Sequence, residues 1–287
     1  MSIANIITLK SGDQARGWLD LPRRTIFVWV AVLLLSNQMF GALEQLWSVE
    51  RLVSDGGPFG IFQMMAWYVV FRLLSLSNPK PVAQWRDFVA AVGLSLLLLL
   101  PTDRMIWVAA AGVSTYLWIF NRDDAHLRAA AAVLAALSVQ EFWGHVFFNL
   151  VALPLLRTET AAVGVILEAF RPGTVWQDNL ITGPSGYGIV VYTGCSSFHN
   201  LSLAMLCWVT VSRLRHQSWR SRDLMTGGVV AATMILLNLA RLCLMAWNID
   251  LFRYWHDGMG AEIFAIGASL TILLISLYGA GPAKRLG

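Results

Sequence analysis

The chain has 287 residues, of which 57% are hydrophobic and only 13% are charged. Soluble domains carry about 25% charged residues, so this composition disfavours an aqueous enzyme, a disordered chain and a nucleic-acid-binding protein. The net charge of +4 is consistent with basic loops on the cytoplasmic side of a bilayer, and the 13 Trp residues are typical of the membrane–water boundary. The composition therefore predicts an integral membrane protein that partners with the lipid bilayer and not with nucleic acid.

Eight apolar runs have about the length needed to cross a bilayer, which is roughly 20 residues. The third and fourth runs are short and meet at the turn Pro101–Arg104, so we interpret them as a transmembrane hairpin. The eight predicted spans are residues 25–43, 58–77, 87–101, 105–120, 128–150, 198–213, 224–248 and 260–280.

The distribution of Lys and Arg predicts the orientation of these spans. Both residue types concentrate in the loops at one end of the spans, and cytoplasmic loops are enriched in them. We therefore expect a multi-pass protein of the inner (plasma) membrane with both termini in the cytoplasm. The single membrane domain of residues 1–287 would consist of a cytoplasmic segment (1–24), five spans (25–150), an outer segment (151–197) and three further spans (198–287).

The outer segment contains stretches of different character. Residues 160–170 are apolar but too short to span, which predicts an interfacial or re-entrant helix. Residues 174–182 and 187–193 are rich in Val, Ile and Tyr and flank the turn sequence Gly183–Gly186, which predicts a small hairpin. The predicted fold class is all-α: a polytopic integral membrane protein with about eight transmembrane helices and a small outer-face β-like hairpin.

A candidate nucleophile follows the predicted hairpin. The chain passes through Gly194 and Cys195 to Ser196 and Ser197, where the sixth span begins and where either serine can cap the helix. A Cys at a helix N-terminus lies near the positive end of the helix dipole and near unpaired backbone N–H groups, which stabilise a thiolate. A lone Cys is more often a small packing residue, and we interpret the other two cysteines, which lie within spans, in that way.

Two further polar features lie at the outer ends of the last spans. Asn238 and Arg241 are about one turn apart in the seventh span, where a cation usually faces a polar cavity; snorkelling to the headgroups is the alternative. His256 lies in the next outer loop, where an imidazole can take a proton from a thiol and return it to a leaving amine. Cys195, Arg241 and His256 would supply the nucleophile, cation and base of acyl transfer through a thioester.

A softer feature is a polar stripe in the fifth span. Glu141, His145 and Asn149 recur every four residues, and they could orient His256, contact substrate or bind a metal. Because a third metal ligand is lacking, we predict no metal and no other cofactor. A hydrogen-bonded polar seam between helices is the interpretation we favour.

The order of these features resembles the exosortase/archaeosortase family over about residues 160–280. An outer β-like segment leads into Cys195-Ser196, an Asn-x-x-Arg motif follows at Asn238 and Arg241, and His256 lies in the next outer loop. The resemblance implies an eight-span cysteine transpeptidase or protease in which Cys195, Arg241 and His256 form the catalytic set. The implied partners are membrane-anchored proteins whose C-terminal sorting signal is cleaved at the outer face, with transfer of the new C-terminus to an acceptor.

The sequence departs from the family pattern at two positions. Ser197 stands where the family usually has Gly, and His199 lies near a position where Arg is common. His199 is therefore a candidate to take over part of the role of that Arg. Together with Ser196, Asn238, Glu141 and His145, it completes the predicted substrate-binding or supporting residues.

Two alternative functions remain open at this point. The sequence Gly183–Gly186 matches the Gly-x-Ser-Gly motif of rhomboid-like serine proteases, which would make Ser185 the nucleophile. In those proteins, however, the Ser begins a transmembrane helix. A non-enzymatic transporter could line its pathway with Arg241 and the Glu141 stripe, but the ionisable residues gather at one face and no inverted repeat is visible.

Overall fold

The computed structural model describes residues 21–46, 60–100 and 104–281. Within these ranges the chain is mainly helical and carries one small sheet. The helices are α1 (Arg23–Leu46), α2 (Ile61–Leu76), α3 (Trp85–Leu96), α4 (Arg104–Phe120), α5 (Ala125–Ser138), α6 (Gly144–Phe170), α7 (Ser197–Arg215), α8 (Ser221–Met245), α9 (Ile249–His256) and α10 (Met259–Ala280).

Each of the eight predicted spans coincides with a helix in its described residues, but the helices are not equally suited to crossing a bilayer. Four helical segments are long and apolar enough to do so, and α2 and α4 are apolar but shorter. The four segments are Arg23–Gly41, Ala125–Phe170, Ser221–Met245 and Met259–Ala280. A count of eight transmembrane helices stays a prediction. Residues 101–103 of the predicted hairpin turn lie outside the described residues.

The fifth predicted span differs most from expectation. Helices α5 and α6 join through a π-helical turn, Val139–Trp143, into one continuous segment of 46 residues. The separate interfacial or re-entrant helix predicted for residues 160–170 is therefore wrong, because that stretch is the end of α6. Pro154 does not break α6. This one segment is about twice as long as the roughly 20 residues that a span requires.

The chain divides into two compact units. In the first unit, formed by residues 1–60 and 67–135, α1, α3 and α4 pack on one another. The fully buried Asp87 of α3 accepts hydrogen bonds there from Arg23 Nε (2.9 Å) and from the Tyr116 hydroxyl (2.6 Å). A buried carboxylate needs such partners.

The second unit, formed by residues 61–66 and 136–287, contains the candidate site. Helices α7, α8 and α10 pack on one another, and α9 lies against α8 and α10. Apolar side chains from α6, the sheet and α8 form a shared core, which includes Leu156, Val163, Leu167, Ile181, Ile189, Val191, Leu242 and Met245. Cys195, Phe252 and Trp255 pack against its edge. The core therefore ties the sheet and the start of α7 to the end of α8.

The sheet has three strands where a two-stranded hairpin was predicted. Strands β1 (Val175–Gln177), β2 (Leu180–Thr182) and β3 (Gly188–Val190) form an antiparallel meander. The first predicted stretch is itself a hairpin, because Asp178 and Asn179 make a two-residue turn in which Asp178 has a φ of 52°. Asp and Asn adopt this left-handed conformation more readily than other side chains.

Two contacts fix the sheet on α6. The indole of Trp176 packs directly over Gly164, where any Cβ would overlap the ring. At the turn of the first hairpin, Arg157 forms an ion pair with Asp178 at 2.8 Å. The last strand then delivers the chain to the turn that carries Cys195.

Candidate active site

Cys195 lies just before the start of α7. It ends a 3₁₀ turn, Thr193–Cys195, and the next residue, Ser196, is the N-cap of α7. The Ser196 hydroxyl accepts a hydrogen bond from the Phe198 N–H at 3.2 Å, which confirms the predicted capping role of this serine. Cys195 is a free, partly buried thiol.

A buried carboxylate that the sequence reasoning missed lies beneath this turn. Glu159 of α6 is only 5% exposed. Its Oε1 accepts hydrogen bonds from the Ser196 hydroxyl (3.2 Å), from the Ser197 N–H (3.0 Å) and from the Ser197 hydroxyl. Two N–H groups at the start of α7, those of Ser197 and Phe198, thus already donate to Glu159 and Ser196.

The surroundings of Cys195 raise the pKa of its thiol. Burial is the main cause, and the negative charges of Asp257 and Glu159 act in the same direction. A backbone hydrogen bond with Tyr192 and the positive charge of Arg241 oppose the shift without cancelling it. These surroundings therefore favour the neutral thiol, which is opposite in direction to the thiolate stabilisation expected from the helix N-terminus.

Asn238 connects α8 to the turn Thr193–Cys195. Its side chain is fully buried, and Nδ2 donates a hydrogen bond to the Cys195 carbonyl at 3.0 Å. Its Oδ1 accepts a long bond of 3.5 Å from Asn200 Nδ2 on α7. Asn238 therefore connects α8 to the backbone of Cys195.

Arg241, one turn further along α8, is partly buried and donates to the protein backbone. Its Nε and Nη2 both donate to the Trp255 carbonyl, at 3.0 and 2.9 Å, and its guanidinium lies 5.0 Å from the centre of the Phe264 ring. A guanidinium has five N–H groups, so donors remain after these two bonds. Arg241 is thus close enough to Cys195 for its charge to lower the pKa of the thiol. At the same time it binds the backbone of Trp255, the residue before His256.

His256 ends α9 and pairs with a neighbour that the sequence reasoning did not weigh. Its Nδ1 lies 2.6 Å from Asp257 Oδ1, and its ring stacks on Phe252 with 4.8 Å between centroids. If Nδ1 carries the proton toward Asp257, Nε2 is left as an acceptor. Within the described residues no hydrogen bond joins His256 to Cys195; catalytic bonds in free enzymes are often long and tighten when substrate binds.

The first residue of the predicted polar stripe lies in the π turn. Glu141 accepts a hydrogen bond there from Gln63 Nε2. The turn closes with an i+5 bond from the Gly144 N–H to the Val139 carbonyl, which adds one residue to this turn of the helix. A continuous stripe of Glu141, His145 and Asn149 stays a prediction.

His145 and Asn149 line an open cleft beside the turn that carries Cys195. The cleft has a volume of about 170 Å³, and Thr193 and Gly194, the two residues before Cys195, form part of its wall. The stacked rings of Phe148 and Phe198 supply its apolar side. A cavity of about 150 Å³ holds one benzene molecule, so the cleft has room for a single side chain.

The positions of Ser185 and His199, and the groups that could bind a metal, complete the description of the predicted site residues. Ser185 is exposed in the turn between β2 and β3 and does not begin a helix, which removes the structural basis of the rhomboid-like alternative. The His199 backbone lies in α7, but its side chain is outside the described part of the structure. Among the described residues there is no group of three or more His, Cys, Asp or Glu side chains that could hold a metal ion.

Comparison with known families decides the identity of the chain. Residues 24–273 match the family model of the transmembrane exosortases (Exosortase_EpsH), which covers most of the sequence. The chain belongs to the transmembrane exosortase family. The resemblance found in the sequence is thereby confirmed, and the match extends into the N-terminal helices. No curated protein and no solved structure matches the chain.

In this exosortase the structure adds three polar residues to those expected from the sequence. They are Glu159, which binds Ser196 and Ser197, Asn200 beside Asn238, and Asp257 beside His256. Asp257 could have been found from its position next to the predicted base. Glu159 had no local signal, because it lies more than thirty residues before Cys195 in the sequence.

Proposed function

We propose that this exosortase is a cysteine transpeptidase or protease that cleaves C-terminal sorting signals of exported, membrane-anchored proteins. Cys195 is the nucleophile, His256 is the general base and acid, and Arg241 stabilises the oxyanion or the substrate carbonyl. Membership of the exosortase family supports a transpeptidase-like role in the membrane. The residue assignments rest on the geometry of the Cys195 turn.

One observation carries the proposal: the Asn and the Arg of the Asn-x-x-Arg motif bind the backbone at Cys195 and immediately before His256. Asn238 donates to the carbonyl of Cys195, and Arg241 donates to the carbonyl of Trp255, which precedes His256. Residues far apart in the sequence are thus linked through α8. A packing role for Cys195 alone would not require a motif that also holds the histidine segment.

The chemistry follows from these roles. His256 takes the proton of the Cys195 thiol, and the sulfur attacks the scissile carbonyl to form a C–S bond and an oxyanion, which the remaining N–H groups of Arg241 stabilise. The oxyanion collapses, the C–N bond breaks, and the leaving amine receives the proton from His256. An acceptor with a hydroxyl or amino group then attacks the thioester, and the sulfur regains its proton.

The raised pKa of the Cys195 thiol fits this order of events, because the proton must be removed by a base when substrate is present. Within the same proposal, the cleft beside Gly194 receives one substrate side chain next to the scissile bond. An integral-membrane site suits a substrate whose C-terminal helix is itself in the bilayer.

The direct test is Cys195→Ala, assayed with a reporter that ends in a short motif, one apolar helix and a basic tail. Processing should be abolished while expression and thermal stability stay normal, and Cys195→Ser should retain little activity because a hydroxyl is much harder to ionise. Ser185→Ala is the matched control and should process the reporter normally. Processing that survives Cys195→Ala would refute the mechanism.

We further propose that both termini are cytoplasmic and that Cys195 opens to the outer face of the plasma membrane. The concentration of basic residues in one set of loops supports this orientation. A membrane-impermeant maleimide added to intact cells should label Cys195, whereas the buried Cys207 should stay unlabelled. Labelling of Cys195 that requires cell lysis would reverse the orientation.

A further inference from the structure

The mechanism above does not use Glu159, although this residue is the most deeply buried carboxylate near the nucleophile. It projects from α6 and is 5% exposed. An ionised carboxylate is costly to bury unless it is well paired and hydrogen-bonded. Among the described residues Glu159 has no cationic partner, so its cost is offset only by hydrogen bonds.

Those bonds all come from the two residues that follow Cys195. One carboxylate oxygen, Oε1, accepts from the Ser196 hydroxyl, the Ser197 hydroxyl and the Ser197 N–H. Ser196 and Ser197 are themselves 0% and 6% exposed. Hydrogen bonds to a charged group are stronger than those between neutral groups, so the contact restrains this short backbone segment.

The segment is held from the other direction by α8. Asn238 Nδ2 donates to the Cys195 carbonyl at 3.0 Å, while Glu159 binds the donors that come immediately after it. The peptide between Cys195 and Ser197 is thus bound on its acceptor side by an amide and on its donor side by a carboxylate. Such a two-sided arrangement restrains the direction in which the Cys195 side chain leaves the backbone.

Resting on the proposed function, we infer that Glu159 is a positioning residue for the Cys195 nucleophile: its carboxylate, bound to Ser196 and Ser197, holds the thiol in the orientation needed for attack. The second oxygen, Oε2, is buried and has no hydrogen-bond partner in the described chain. A role limited to capping α7 would be met by a neutral acceptor such as Gln. Unlike Gln, Glu159 also carries a negative charge, which gives it a second, electrostatic effect on the Cys195 thiol.

That effect is on the ionisation of the thiol. The charges that act on the Cys195 thiol are those of Glu159 on α6, Arg241 on α8 and Asp257, which follows α9. Tyr187 and Cys243 pack against the same core as Cys195, and His256 lies 2.6 Å from Asp257. The negative charge of Glu159 contributes to the raised pKa of the thiol. Removing it lowers the pKa, so the thiolate forms at lower pH.

The experiment separates positioning from general folding by measuring two properties of Glu159→Gln in purified protein. The first is the pH profile of Cys195 alkylation by iodoacetamide, resolved by mass spectrometry, which depends on ionisation and access. The second is kcat and KM with the sorting-signal reporter. We expect the alkylation profile to move to lower pH while kcat falls roughly tenfold to a hundredfold and KM stays nearly unchanged.

Glu168→Gln is the matched control. Glu168 lies on the same helix, accepts a backbone hydrogen bond from Gly173 at 3.3 Å and also has a buried oxygen without a partner, but it does not contact the Cys195 turn. Its variant should leave both the alkylation profile and kcat close to those of the unmodified protein. An unshifted profile together with normal kcat in Glu159→Gln would overturn the inference.

A second variant covers the case in which Glu159→Gln is unstable. Ser197→Ala removes one donor from the contact but keeps the charge and the Ser197 N–H bond. We expect kcat to fall by about threefold to tenfold, as for the loss of one hydrogen bond, with an unchanged alkylation profile; unchanged kcat would refute the positioning role. If Cys195→Ala still processes the reporter, the proposed function fails, whereas the alkylation shift tests Glu159 independently of it.

Discussion

Helices α7 and α8 form an antiparallel pair, and the arginines at its two ends have different partners. At the end of α7, which we call the Arg213 end, Arg213 is fully buried, pairs with Asp223 at 2.8 Å and lies 3.8 Å from the centre of the Trp219 ring. At the opposite Cys195 end, Arg241 forms no ion pair within the described residues; it donates to the Trp255 carbonyl and lies over the Phe264 ring. A neutralised charge serves structure, whereas a charge without a counterion can stabilise an anion that forms during a reaction.

The two ends also differ in how their glycines are packed. At the Arg213 end, a Cβ on Gly227 would overlap the indole of Trp208, whose Nε1 is fixed to the Asp223 carbonyl at 2.9 Å. At the Cys195 end, a Cβ on Gly194 would meet nothing within 4 Å. One end is closed and fully packed, and the other keeps open space beside the candidate nucleophile.

The largest expected effect is on stability at the Arg213 end. Arg213→Ala leaves the Asp223 carboxylate buried without its partner, and breaking a buried pair in this way costs about 3–5 kcal/mol. Thermal unfolding in detergent should therefore occur at a clearly lower temperature. Arg241→Ala has no carboxylate to strand and should lower the unfolding temperature less. Equal losses in the two variants would break the comparison.

The next effect is on catalysis at the Cys195 end. Arg241→Lys should keep expression and stability but lose at least about two orders of magnitude in turnover, since one lost oxyanion donor costs roughly 10²–10³ in rate. Lys lacks the planar fork that binds the Trp255 carbonyl through two N–H groups.

Arg253→Lys, at an exposed position on α9, is the control and should turn over substrate almost normally. Turnover and unfolding temperature should be measured on the same purified samples, so that misfolding is separated from lost chemistry. Near-normal turnover in Arg241→Lys would mean that this arginine supplies only charge or anchors the helix.

The elements that could be predicted from the sequence are those fixed by composition over a whole helix. Apolar runs located the helices, and the depth of Asn238 and Arg241 within one run correctly put both residues near Cys195. Hydrophobic periodicity does not record where a helix gains a residue. The π turn at Val139–Trp143, which joins α5 and α6 into one segment, therefore left no signal in the apolar pattern.

Three other features were not predicted from the sequence. The hairpin at Asp178 and Asn179 was hidden because the polar pair lies inside an otherwise β-like stretch, although its residue types are those of a tight turn. The contact of Glu159 with Ser196 and Ser197 joins segments that are far apart in the sequence. Burial, which raises the pKa of the Cys195 thiol, likewise depends on how these segments pack.

The smallest expected effect tests the open space at the Cys195 end. Gly194 has no positive φ and no neighbour within 4 Å of an added Cβ, so Gly194→Val should fold normally and leave Cys195 alkylation unchanged. Its methyl groups would occupy part of the cleft that we assign to a substrate side chain. Overpacking costs typically 1–3 kcal/mol, which predicts a fall of about tenfold or more in kcat/KM for the reporter.

Gly227→Val supplies the opposite case at the Arg213 end. Its side chain would overlap Trp208, so we expect a lower unfolding temperature and no selective change in KM for the protein that remains folded. Measuring kcat/KM and unfolding temperature for both variants distinguishes a substrate-facing glycine from a packed one. If Gly194→Val processes the reporter at the normal rate, the cleft does not receive the substrate, and the side chain next to the scissile bond must bind elsewhere around Cys195.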